Sequence, residues 1–436
     1  MKLLLVYPPF CTPASPPYSL TNLTAKIKKE HRVKILDLNV KFHNLKFPEF
    51  KSYYQQGKFN FREYSQTTKK YEHLTSLCYS YNNKRVLQGE APELLSELLE
   101  EILKQKPEVV AFSIVYSSQA FYASALIQEL KKKGVRCFVG GPAVTHQMLD
   151  LAETDFREFL SDKTETLDFS VYNNKDYFTP ELVLPLKTCS ACFYQQCAFC
   201  THHQHSKYQE FDLEQIGETI KKSKAKKVFF IDDMITKNRL LELAERIKPL
   251  KINWMCQLRP TKDLDLKTLQ QLYDSGLRVV LWGVESGSER ILQLMKKGTN
   301  QKDNEITLKN AHDLGIKNVL YVMFGFPTET ESEFMDTINF LQKNEENIDL
   351  LSISTFGLQP GTPIFAHPKQ FGVKKVNVQE RKLLDAKVTF ETEKGLTSEE
   401  LLKLRKTYRH TLDKINKYPQ GMNFFREHLL VISENL

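Results

Sequence analysis

The chain has 436 residues, 41% hydrophobic and 26% charged, with 61 Lys and Arg against 53 Asp and Glu for a formal net charge of +8. That length suits two or three domains rather than one, and the composition is that of a soluble globular protein. No run approaches the ~18 to 20 apolar residues of a membrane helix, and the opening Met1-Lys-Leu-Leu-Leu-Val-Tyr-Pro-Pro is too soon broken for a signal peptide, so a cytoplasmic location is expected. Lysines such as Lys131 to Lys133 read as solvated helix ends, which disfavours a nucleic-acid partner.

Lys2 to Tyr7 is an apolar run stopped by Pro8-Pro9, the pattern of a buried strand followed by a loop. Leu20, Leu23 and Ile27 mark a helix, and Val33 to Leu38 returns to a strand. After an aromatic-rich insertion at about 44–106, helical at Ala91 to Lys104, the alternation resumes. Strand Val109 to Ile114, helix Ser118 to Lys132 and strand Val135 to Val139 lead into Gly140-Gly141-Pro142. Such alternation predicts a Rossmann-like parallel sheet over about 1–165, with its ligand edge at Pro9, Ser117, Ser118, Gly140 and Gly141. The insertion's aromatic residues, among them Phe47, Phe50, Tyr54, Tyr64 and Tyr71, are expected to form a structural cap rather than a substrate grip.

Residues 166–180 read as a linker. Beyond it, strand Leu182 to Leu186 delivers Thr188-Cys-Ser-Ala-Cys-Phe-Tyr-Gln-Gln-Cys-Ala-Phe-Cys-Thr201, which holds four of the eight cysteines. The others, Cys11, Cys78, Cys137 and Cys256, are scattered and form no disulfide framework. A zinc ribbon needs a long spacer between two Cys-x-x-Cys knuckles, and here only four residues separate Cys192 from Cys197, so zinc is disfavoured but stays open. Cys192, Cys197 and Cys200 have the tight one-loop spacing that a four-iron, four-sulfur (4Fe-4S) cluster accepts, with one iron left open. Cys189 is then a fourth, non-ligand thiol. His202, His203 and His205 follow directly, in a polar stretch that reads as solvent-facing.

From the loop onward, five further strand-like runs follow in alternation with helices: Lys227 to Ile231, Ile252 to Cys256, Arg278 to Val284, Asn318 to Phe324 and Leu350 to Thr355. With Leu182 to Leu186 they make six strands over 181–365. Residues 366–436 read as a helical carboxy-terminal region, with one long amphipathic helix at Ser398 to Ile415.

The three-cysteine loop, Phe199 before its last cysteine, and the six-strand alternation resemble the radical S-adenosylmethionine (SAM) superfamily. The four-residue first gap and the preceding Rossmann-like half are similar to its cobalamin-binding branch. The resemblance implies an α/β fold: an amino-terminal cobalamin-binding-type sheet, a partial (β/α)6 barrel and a helical cap. It implies an enzyme with a 4Fe-4S cluster on Cys192, Cys197 and Cys200 that cleaves SAM to a 5′-deoxyadenosyl radical, with cobalamin as a further cofactor. By the same resemblance the SAM-binding residues are Phe199, Asp232, Asp233, Arg259, Glu285, Ser286, Gly325 and Pro327. Asp232-Asp233 departs from the family's usual Gly-Gly-Glu, and Asp37 and His43 lack the spacing of a cobalt-ligating histidine motif.

The expected activity is cobalamin-dependent methyl transfer to an unactivated carbon of a small-molecule or peptide substrate, fed by an external one-electron reductant such as flavodoxin or ferredoxin. The alternatives are a cobalamin-independent radical enzyme (rearrangement, cyclisation or peptide modification) and a non-catalytic metal-bearing binding protein. Methylthio transfer is disfavoured, because it would bring three more cluster cysteines.

Overall fold

The computed structural model describes residues 1–162, 165–201 and 207–432. In the first half, β1 (Lys2–Tyr7), β2 (Arg32–Asp37), β3 (Val109–Ser113) and β4 (Arg136–Gly140) form a parallel sheet in the order β2-β1-β3-β4. Alternation along β1 places Leu3 and Leu5 in one apolar layer and Leu4 and Val6 in another, so both faces are covered, as a parallel sheet requires. The switch point lies between β1 and β3, where open α/β sheets hold their ligands.

The insertion is helical over most of its length: Leu38–Lys46, Pro48–Tyr54, the 27-residue Phe61–Leu87, and Leu95–Lys104. Asp37 and Asn60 start two of these helices by accepting hydrogen bonds from Val40 N and Arg62 N. Phe47, Phe50, Tyr54, Tyr64 and Tyr71 are buried, the behaviour of a structural cap.

The second half begins with β5 (Val183–Leu186), the short pair β6 (Cys189–Ser190) and β7 (Gln209–Glu210), then β8 (Lys227–Phe230), β9 (Asn253–Leu258), β10 (Leu277–Glu285), β11 (Lys317–Phe324) and β12 (Leu350–Thr355). The large sheet is parallel and runs β5-β8-β9-β10-β11-β12 in chain order, a partial barrel with β5 and β12 at its two edges. Capping residues Asp212, Thr236, Asp265, Asn300 and Thr330 each accept a backbone N–H at a helix start, at roughly 1 kcal/mol apiece.

The carboxy-terminal region contains helices, as expected, but also an antiparallel hairpin, β13 (Val373–Arg381) with β14 (Leu384–Thr392). Leu384, Ala386, Val388 and Phe390 alternate with exposed polar residues along β14, a period of two that the helical reading of 366–436 passed over. The long helix is divided at Tyr408 into Ser398–Thr407 and Arg409–Ile415. The segment from Gln420 to Ile432 runs to the inside of the barrel. There Met422, Phe425, Leu429 and Leu430 share one core with Val183, Phe229, Met255, Leu281, Val319 and Leu350, the inward residues of the strands. Each such side chain contributes about 1.5–3 kcal/mol on burial.

Candidate active site

The cysteine loop is fixed at both ends. At its start Asp232, buried at the end of β8, accepts from Thr188 N (2.7 Å), Cys189 N (2.8 Å) and the Cys189 thiol (3.1 Å). Burial, then Asp232, pushes that thiol's pKa up, and Cys189 is 1% exposed. Cys189 is thus engaged below the loop, while Cys192, Cys197 and Cys200 are half-buried within it. Ala191 and Gln195 take left-handed backbone conformations that curl the chain between these thiols. Further on, Ala198 N donates to Met295 O (2.8 Å), and Ala198 O accepts from Ile364 N (3.1 Å). Tyr194 donates to Lys296 O at 3.0 Å and carries the Arg259 guanidinium 3.6 Å above its ring.

On the barrel interior beside the loop lies a buried ion pair. Lys297 Nζ donates to Glu285 Oε1 at 2.8 Å, and the ammonium sits 5.8 Å from the centre of the Phe199 ring. Gly283 makes this possible, since a Cβ there would lie 2.7 Å from Lys297 Nζ. Glu285 ends β10 in the left-handed region, at φ 67°. Burial raises the Cys197 thiol, while Lys297 and then Arg259 act against that. Soft thiol donors with compensating cations fit an anionic iron–sulfur cluster. Among the described residues, no three His, Cys, Asp or Glu side chains are grouped as ligands of a single ion.

The residues expected from sequence divide into two groups. Phe199 and Glu285 meet at the Lys297 ammonium, and Arg259 stands beside them, donating to Lys297 O at 2.9 Å. Asp232 holds the loop with Oδ1 alone, its buried Oδ2 having no hydrogen-bond partner, and Ser286 is fully buried against Thr337 Oγ1 (3.2 Å). Asp233 lies 3.9 Å from Lys187 Nζ. Gly325 donates its N–H to Glu329, whose carboxyl burial pushes up to about 7, and Pro327 is buried in the same turn. His202, His203 and His205 lie outside the described residues. Lys297 was missed because Lys296-Lys297-Gly298 after a helix reads as a solvated helix end; the signal available was Gly283, two residues before Glu285.

At the edge of the first sheet, Tyr116, Ser117, Gly140 and Gly141 are exposed. Pro9 is buried, and its loop is tied down by Ser118 Oγ donating to Phe10 O and by Gln119 Nε2 donating to Pro8 O (2.8 Å). Gly141 has φ 121°, and a Cβ on it would lie 2.2 Å from Ile114 O, whereas Gly140 has open space. His43 is buried against the Tyr71 hydroxyl at 2.6 Å, where burial lowers its pKa to about 3.

Residues 186–341 match the family described as Radical SAM superfamily. The chain carries a radical SAM domain. It is 30% identical over 146 residues to an uncharacterized methyltransferase of Pyrococcus horikoshii, covering 33% of this chain and 31% of that protein. It is 29% identical over 184 residues to the bacteriochlorophyllide d C-12(1)-methyltransferase of Chlorobaculum tepidum, covering 40% of each. The chain therefore spans less than half the length of these curated relatives. Among solved structures, that of the radical SAM methyltransferase TsrM from Kitasatospora setae, with cobalamin and a 4Fe-4S cluster bound, superposes with a TM-score of 0.62. The superposition covers 88% of this chain and 82% of that one at 15% identity. At such identity the likeness is one of fold, and it extends from the radical SAM domain over the flanking regions.

Proposed function

We propose that the protein is a radical SAM methyltransferase, with a 4Fe-4S cluster on Cys192, Cys197 and Cys200 and cobalamin at the edge of the first sheet. The observation that carries this reading is the setting of three half-buried thiols beside the interior Lys297–Glu285 pair, in a chain whose other parallel sheet has an exposed ligand edge. When bound, these groups supply one-electron cleavage of a sulfonium and a transferable methyl group.

The chain's residues bind and orient. Lys297 would take the carboxylate of SAM, with Arg259 holding the segment that carries it. Glu285, Asp233 and the buried Oδ2 of Asp232, which has no hydrogen-bond partner, would offer the SAM ammonium its acidic partners. Phe199 and the Gly325–Pro327 turn flank the adenine, and Gly140 lets a large ring approach the backbone. An external one-electron reductant is required, and the acceptor is a small molecule or peptide. The names of the two curated methyltransferases and the cobalamin in the TsrM structure support methyl transfer. Methylthio transfer is disfavoured by position, because Cys11 follows β1, Cys78 lies in a helix of the insertion and Cys137 in β4.

The cobalamin-independent reading has one observation on its side: the buried, tied-down Pro8–Phe10 loop, with His43 sequestered from the sheet edge. Anaerobic reconstitution with iron, sulfide and hydroxocobalamin, followed by metal analysis and a reductive assay for 5′-deoxyadenosine, separates the readings. About four irons, retained cobalt and SAM cleavage support the first. Iron and cleavage without cobalt favour the second, and zinc without iron overturns both.

A further inference from the structure

The segment that fills the barrel floor also carries a guanidinium into its interior. Arg426 follows Phe425, which is fully buried and stacked on His428 at 4.6 Å, and His428 bonds both Tyr64 and Phe178 O at 2.8 Å. The backbone on both sides of Arg426 is therefore held. Its guanidinium lies 5.3 Å from the ring centre of Tyr321, whose hydroxyl donates to Gln257 Oε1 at 3.0 Å. Tyr321 and Gln257 point inward from β11 and β9, one turn of side chains above the filled floor, and both are partly buried.

The other guanidiniums of the barrel have partners. Arg239 donates to Thr188 O and Phe211 O, Arg259 to Lys297 O, Arg278 to Tyr273 O and Leu277 O, and Arg290 to Glu333 and Thr328. Among the described residues, the Arg426 side chain makes no ion pair and no hydrogen bond. Its neighbour Glu427 accepts from Ser15 Oγ at 3.1 Å and feels the Arg426 charge.

The Arg426 charge acts on Tyr321, which also feels Glu285, and on Tyr116 at the switch point of the first sheet. A guanidinium without a hydrogen bond or close ion pair thus stands against the inward Tyr321 of the barrel.

We infer that Arg426, walled by Tyr321 and Gln257, anchors a carboxylate of the acceptor substrate. This assignment deepens the proposed methyl-transfer reading and rests on it. A carboxylate is the better match, because a single guanidinium neutralises a monoanion and pairs with both of its oxygens. The acceptor is therefore an organic acid held by its carboxylate.

The test uses the full reconstituted chain with benzoate as the probe and benzamide as its neutral counterpart, read by ligand-observed NMR. Benzoate is expected to bind and benzamide not, with R426Q weakening benzoate at least tenfold and R426K falling between. If R426Q does not fold, R426K and the rate of phenylglyoxal labelling at Arg426, which benzoate should slow, still decide the matter. Equal binding of benzoate and benzamide, or benzoate affinity unchanged in the variants, overturns the assignment. Iron content and SAM cleavage in the same preparation read the underlying function separately: a cluster-bearing, SAM-cleaving protein that ignores benzoate refutes this site alone.

Discussion

Replacing Lys297 by methionine preserves most of the side chain's volume but leaves Glu285 without its counter-charge in the barrel interior. The two side chains are 10% and 11% exposed and 2.8 Å apart. At an effective dielectric of about 20 their attraction is of order 6 kcal/mol, and it is offset by the cost of desolvating both groups. Removing one partner of such a pair typically destabilises by about 3–5 kcal/mol, while replacing both with neutral groups costs far less. K297M is therefore expected to lose about 3–5 kcal/mol, and K297M/E285Q to recover at least half of that. The chain's two tryptophans, Trp254 and Trp282, both lie in the barrel sheet, so their fluorescence during urea unfolding reports this half of the molecule. A K297M variant within ~1 kcal/mol of wild type, or single and double variants whose costs simply add, would refute a buried, coupled pair.

Three more outcomes follow from the geometry. Serine at Cys192, Cys197 or Cys200 should each abolish iron retention on anaerobic reconstitution, whereas C189S should keep it, since Cys189 bonds Asp232; iron loss in C189S would reassign the ligands. Glu329 holds its proton to about pH 7 in the folded chain against an ordinary value of 4.5, so the unfolded state alone releases it between those values and stability falls as pH rises through that window. The fall is of order 3 kcal/mol at most, and urea midpoints of E329Q from pH 5 to 8 should show a flatter profile than wild type; identical profiles would contradict it. G141A should lower stability by about 1–3 kcal/mol from backbone conformation alone, with the contact to Ile114 O adding to this, while G140A, facing open space, should be nearly neutral in a thermal melt.

The parallel strands were legible because each is a short apolar run ending in a turn signal, and this covers both halves of the chain. The exposed hairpin escaped although Leu384, Ala386, Val388 and Phe390 alternate with polar residues, because the amphipathic helix after it dominates the pattern of the region. At the site, the thiol loop announced itself by spacing. What local pattern cannot state is direction. Asp232 turns one oxygen to the loop and keeps the other buried without a hydrogen bond, Ser286 meets Thr337 instead of open space, and Lys297, just past a short helix, turns inward over a missing Cβ. Arg426 was equally hidden, because its meaning depends on a contact with Tyr321, far away in sequence.

The route of the Gln420–Ile432 segment into the barrel also bears on how the protein is made. The inward faces of β5 and β8 to β12 are all synthesised before the residues that cover them. At a translation rate of about 5–20 residues per second, the stretch from Thr355 to Ile432 occupies on the order of ten seconds. For that interval the nascent barrel presents an apolar floor to its surroundings, a natural binding surface for a ribosome-associated chaperone. Ribosome-stalled chains ending near residue 365 should therefore be more sensitive to protease than chains released after Ile432.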